Sequence, residues 1–136
     1  MDTTREHDIV LHGATGFVGA LLAAYLADNT PPGLRIAVSG RSPDKLERAR
    51  AALPPAAQGW PLVVADATDP GALAALAAST RVVVSTVGPY ATYGMPLVEA
   101  CARAGTHYAD LTGEVLFVRD AIDRCDALAR ESGARI

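Results

Sequence analysis

DIVLHGATGFVGALLAAYLA, residues 8–27, sets an apolar run directly before three glycines at 13, 16 and 19. DIVLH (8–12) predicts a strand and Phe17 to Asp28 a helix, along which Phe17, Leu21, Leu22 and Tyr25 recur at helical spacing. Gly13 can take the positive φ that a tight turn demands. Gly16 leaves the first helical N–H groups open to close approach. Gly19, one turn further on, has no Cβ to hold the helix off the sheet. The start of a helix offers unpaired N–H groups and a partial positive charge, which suit a pyrophosphate. GxxGxxG is a relative of the dinucleotide fingerprint GxGxxG, and its weight comes from its place between a first strand and a first helix.

The same alternation continues outward from this stretch. Strands are expected at RIAVSG (35–40), PLVVAD (61–66), RVVVSTV (core 82–87) and THYADL (106–111), each separated from the next by a helical segment. Ser42 and Asp69 stand as N-caps before Pro43 and Pro70, and Gly105 and Gly133 close the last two helices. The closing ARI reads as the first residues of a sixth strand, as if the sequence were a piece of a longer protein. Strictly alternating, nearly all-apolar strands predict an α/β fold. The expected architecture is a doubly wound parallel sheet of the Rossmann type, about six strands with helices on both faces.

Composition narrows the function classes. The 136 residues suit one domain, half of them are apolar, and the net charge is −3 with the basic residues scattered. A nucleic-acid surface is disfavoured. No apolar run reaches the length of a membrane span, and the polar start MDTTREHDIV has no signal-peptide pattern, so the cytoplasm is the expected location. Cys101 and Cys125 show no metal-ligand or redox spacing and read as buried thiols.

The strand ends carry the candidate site. An NAD-preferring fold usually closes its second strand with an acid that binds the ribose 2′-hydroxyl. Here that strand closes with Ser39, Gly40, Arg41 and Ser42. Arg41 and Ser42 can bind a 2′-phosphate, which favours NADP over NAD. Asp66 is either an acceptor for the adenine amino group or a helix cap, since DATDP holds two capping candidates. Gly88 and Pro89 make a turn where the nicotinamide half should run, and Tyr90 either flanks that half or is a plain loop tyrosine. His12 reads as a satisfied core or edge histidine. A short-chain dehydrogenase needs a tyrosine four residues before a lysine, but Lys45 is the only lysine and Arg41 holds that position.

GATGFVG, SGRSPDKL, VSTVGPYATYGMPLVEACARAGTHYADLTGE and SGARI together resemble the saccharopine dehydrogenase-like oxidoreductases, and within them the trans-acting enoyl reductases. The resemblance implies an NADP-binding domain over residues 1–136 of a longer protein. A following α+β domain, absent from this sequence, would supply substrate pocket and dimer contacts. By the same likeness Gly13, Thr15, Gly16 and Phe17 hold the pyrophosphate, and Arg41 and Ser42 the adenosine phosphate. Asp66 and Ala67 meet the adenine, Gly88, Pro89 and Tyr90 the nicotinamide side, and His107 to Glu114 face the substrate. The implied chemistry is hydride transfer to or from an unsaturated lipid-type or imine-type substrate. No catalytic residue is identified. The alternatives are a non-catalytic NADP-binding redox sensor and an interaction module with an empty pocket.

Overall fold

The computed structural model describes residues 4–136, and five parallel strands form its single sheet. They are β1 (His7–His12), β2 (Ile36–Gly40), β3 (Leu62–Val64), β4 (Thr80–Ser85) and β5 (His107–Asp110), in the order β3-β2-β1-β4-β5. β1 lies at the centre, its His12 level with Ser39 of β2 and Ser85 of β4. The chain winds from β1 outward to β3, then returns to place β4 and β5 on the other side. The order therefore reverses beside β1, where the loops at the strand C-termini part and open a crevice.

Among the described residues six α-helices cover the sheet: α1 (Phe17–Asn29), α2 (Pro43–Ala51), α3 (Pro70–Ser79), the single turn α4 (Tyr90–Tyr93), α5 (Met95–Ala104) and α6 (Val115–Ser132). Side-chain alternation along the strands sorts them into two layers. Leu11 and Val38 point to one face, where they pack with Ala23 of α1 and Leu46 of α2. Val10, Ala37 and Val83 point to the other and meet Leu73, Leu76, Val98, Cys101, Phe117 and Cys125 of α3, α5 and α6. Both cysteines are buried free thiols. Ser42 and Asp69 cap α2 and α3 as expected, and Gly105 and Gly133 adopt left-handed φ at the ends of α5 and α6.

Two features differ from the sequence expectation. Residues 134–136 form no sixth strand, although the Arg135 carbonyl accepts a hydrogen bond from Tyr108 N beside β5. In α1 three of the four large apolar side chains expected inside face outward, Phe17 82% exposed, Leu21 59% and Tyr25 62%, while Leu22 packs on the core. The buried residues of that helix are Gly19 and Ala23, because close approach to the glycine turn requires its small-residue face.

At the opposite end of the sheet Arg5 acts as a clamp. Its guanidinium donates to the carbonyls of Ala77 in α3 (2.8 Å), Thr80 (2.8 Å) and Ala104 in α5 (2.6 Å). A cation there satisfies helix-terminal carbonyls and complements the negative ends of two helix dipoles. Among the described residues no helix is long and apolar enough to cross a membrane.

Candidate functional site

The crevice at the strand C-termini is a cleft of about 470 Å³. Its lining comes from four consecutive strand ends: His12, Gly13, Thr15 and Gly16 around the end of β1, Gly40 and Arg41 after β2, Ala65 to Thr68 after β3, and Thr86 to Gly88 with Tyr93 after β4.

The glycine turn forms its centre. Gly13 has φ +92°, and a Cβ there would stand 2.6 Å from the Thr86 hydroxyl and 2.8 Å from Val87. Ser39 O accepts from both Gly13 N (2.9 Å) and Ala14 N (3.1 Å), tying the turn to β2. Thr86 ties it to β4: its N–H donates to His12 O (2.9 Å) and its hydroxyl to Gly13 O (3.2 Å). Gly19 packs onto the turn itself rather than onto the sheet, since a Cβ would run into Gly13 O and stand 2.9 Å from Ala14 Cα. Gly16 is the N-cap residue of α1, which has no side-chain cap, whereas Ser42 and Asp69 cap the next two helices. A Cβ on Gly16 would make only an ordinary contact, 3.5 Å from Gly13 O. An uncapped helix start behind a turn with glycine at both ends can accept an anionic group on backbone N–H donors.

At the end of β2, Arg41 is exposed and faces Asp66 across the cleft closely enough to help lower its pKa. Ser42 caps α2 by accepting from Lys45 N at 3.4 Å, which leaves its hydroxyl proton free to donate elsewhere. The two capping candidates of DATDP divide the work. Asp69 Oδ1 accepts from Gly71 N (3.0 Å) and Ala72 N (3.1 Å) and starts α3. Asp66 Oδ1 accepts from Thr68 N (2.8 Å) and the Thr68 hydroxyl (2.7 Å), folding the loop at the cleft wall. Those Thr68 bonds, followed by the fields of Arg41 and His12, hold the Asp66 carboxyl below the usual carboxylate range.

On the β4 side the structure separates the expected residues. Gly88 lines the cleft, while Pro89 follows a cis Gly88–Pro89 bond and precedes α4. Tyr90 turns into the core, 5% exposed, where its hydroxyl donates to Ser85 O at 2.8 Å and its ring packs on Phe117. The tyrosine that borders the cleft is Tyr93. Phe17 and Gly19 lie outside the lining, and Phe17 can serve an anion only through its backbone N–H. Within the run from His107 to Glu114 the polar groups are engaged in the fold. Tyr108 donates to Asp110 Oδ2 (2.8 Å), Asp110 Oδ1 accepts from Thr112 N (3.0 Å), and Glu114 accepts from Tyr90 N (2.7 Å) and Ala91 N (3.0 Å).

Tyr93, Thr86 and the cleft-lining position of His12 were not legible in the sequence. A one-turn helix has no period that shows which of Tyr90 and Tyr93 faces in, and Thr86 counted only as part of a strand.

The profile described as the saccharopine dehydrogenase NADP binding domain matches residues 9–136. The chain belongs to that family. NADP is the dinucleotide of the family, as the absence of an acid after β2 also indicates. Over 132 residues the chain is 56% identical to the trans-acting enoyl reductase of Mycobacterium leprae (strain TN), a match that covers 97% of this chain and 31% of the relative. The trans-acting enoyl reductase of Mycobacterium bovis (strain BCG / Pasteur 1173P2) is 54% identical over 132 residues with the same coverage. The chain thus spans about a third of the length of these curated relatives. Among solved structures, saccharopine dehydrogenase (L-Glu forming) from Saccharomyces cerevisiae aligns with a TM-score of 0.68 and 23% identity, covering 84% of this chain and 23% of that one. The triphenylmethane reductase of Citrobacter sp., complexed with NADP(H), also gives 0.68, at 20% identity over 93% of this chain and 46% of the other. Both likenesses show the fold.

Proposed function

We propose that this family member is the cofactor-binding part of an NADP-dependent oxidoreductase that moves hydride to or from an unsaturated, lipid-type substrate. The observation that carries the proposal is the cleft's pairing of a glycine-bounded turn with an arginine, and no acid, at the end of β2. Gly13, Thr15 and Gly16, with the N–H groups of Phe17 and its neighbours, hold the diphosphate. Arg41 and Ser42 hold the 2′-phosphate by charge-assisted hydrogen bonds. Asp66 and Ala67 border the adenine, and Gly88 with the backbone before Pro89 borders the nicotinamide half. Tyr90 supports that loop from beneath. Bound NADP(H) supplies the hydride; the chain supplies position and electrostatics.

The 54–56% identity to trans-acting enoyl reductases favours a carbon–carbon double bond over an imine as the group reduced. Substrate contacts and homodimer formation belong to a second domain in the longer protein, and the cytoplasm is the proposed location. Leu111, Val115, Leu116, Val118 and Ile122 are exposed apolar residues near the start of α6, and they suit a face that such a domain covers. The test is NADPH oxidation by the longer protein offered α,β-unsaturated acyl and imine substrates in parallel. Turnover on the acyl class supports the proposal. Turnover on imines alone moves the substrate class, and NADPH binding without turnover on either supports a sensor.

A further inference from the structure

The two faces of the sheet are covered unequally. Toward α3, α5 and α6 the outer strands are shut off from solvent: Val83 of β4 is 0% exposed and Tyr108 of β5 8%. The strand residues that alternate with them point to the face of α1 and α2. There Leu11 of β1 and Val38 of β2 are buried with Ala23 and Leu46. On β4, however, Val82 and Val84 are only half-buried, and Ala109 of β5, level with Val84, is exposed. Among the described residues α1 and α2 are the α-helices on this face, and they leave β4 half covered and β5 open.

The residues left open are nevertheless apolar. Val82, Val83 and Val84 run without alternation, as in a strand with both faces buried, whereas a strand with one face in water alternates apolar and polar residues. On the same side of the sheet α1 exposes Phe17, Val18, Leu21 and Tyr25. Leu22 of that helix and Val84 pack on one core cluster, which sets α1 beside the uncovered strands. We propose that this half-face is a docking surface for an amphipathic helix from the part of the longer protein outside residues 1–136, laid alongside α1 over β4 and β5. Two neighbouring strands present a strip about 10 Å wide, close to the diameter of one helix. Parallel sheets are covered on both faces, and helices are the elements that cover them. This chain spans 31% of the length of a curated relative, so such a protein has ample length to supply the helix. A tethered segment also reaches an effective concentration of order millimolar, which favours it over a second copy of the chain. The surface is separate from the apolar residues at the start of α6, a helix of the other layer, and from the cleft.

The test places one cysteine on the strip in the longer protein, Ala109→Cys, while the two thiols of this domain are buried. Peptide mass spectrometry follows alkylation at that site in native protein and in urea. The expected result is labelling at least about tenfold slower in the native protein, because the reagent reaches the thiol only when the covering helix opens. A smaller difference overturns the proposal. A photo-crosslinker on the same cysteine then identifies the cover. Adducts within one molecule to a helical segment outside residues 1–136 support the proposal; any other pattern, such as adducts to a second molecule, overturns it. Val82→Cys, a near-isosteric change on the same strip, is the second probe should Ala109→Cys fail to fold, and is read in the same way. Neither readout depends on NADPH, so failure of the cofactor reading and failure of this one are told apart.

Discussion

At the scale of single residues, the glycine turn shows how a missing methyl group creates a binding surface. Gly19 touches the backbone of Gly13 and Ala14 directly, so Gly19→Ala pushes α1 away from the turn. The expected cost is about 2 kcal/mol or more, read by urea denaturation, because backbone cannot yield as a flexible side chain does. Gly16→Ala makes only an ordinary contact and should leave stability within about 1 kcal/mol, the scale of a glycine–alanine propensity difference. Its effect belongs on dinucleotide affinity, which separates the turn's structural glycine from its binding glycine. His12 adds a pH signature. The folded protein holds its imidazole near pKa 4, and the unfolded chain takes up the proton near 6.5. Stability is therefore full above about pH 6.5 and falls as the pH drops from there to about 4. His12→Phe removes that slope, as melting temperatures across this range would show. Asp8 acts lower on the scale: hydrogen bonds from Arg35 hold its carboxyl well below the carboxylate range. Its contribution is present above about pH 4 and declines as acid approaches its depressed pKa.

At the scale of elements, one carboxylate joins two pieces that sequence spacing keeps apart. Glu114, just before α6, accepts the N–H groups of Tyr90 and Ala91 and so starts α4 from across the chain. Tyr90 continues the tie through Ser85 O and Phe117, and Gly94 makes room for the Phe117 ring. Glu114→Ala is expected to cost about 1.5–3 kcal/mol, the range of a charge-assisted hydrogen bond, and to weaken NADPH binding by loosening the cleft's β4 wall. Glu114→Gln, which keeps one acceptor, should lose less of both; urea denaturation and NADPH titration read the pair. Elements governed by local rules were legible in the sequence: the strand runs, the Ser42 and Asp69 caps, and the left-handed glycines that end α5 and α6. Elements governed by partners were not. Phe17, Leu21 and Tyr25 share a helical spacing, yet the face of α1 that reaches the sheet is set by the Gly19 contact, which no hydrophobic period encodes. Glu114 fits a first helical turn and gives no local sign that it bonds to residues more than twenty positions earlier. Arg5 is equally silent in sequence, because the carbonyls it clamps belong to helices far along the chain.

At the scale of the whole molecule, the strand order turns scattered residues into one site. β1 is central, so its turn lies between the ends of β2 and β4, and four separate loops meet over one crevice. That convergence was legible because alternation of strands and helices, with right-handed crossovers, leaves few topologies open. The outer edge was less so: β5 has residue 135 beside it through one backbone bond, not a sixth strand. The central claim is that the glycine turn and Arg41 make this cleft a site for NADP(H) in preference to NAD(H). The most direct measurement is a calorimetric titration of the domain with NADPH and with NADH, repeated on Arg41→Ala. The account predicts NADPH binding at least about tenfold tighter than NADH, as a charge-assisted phosphate contact of about 1.5–3 kcal/mol requires. It also predicts that most of this gap closes in Arg41→Ala with NADH affinity little changed. Equal affinity for the two dinucleotides, or a preference that survives the loss of Arg41, would contradict it.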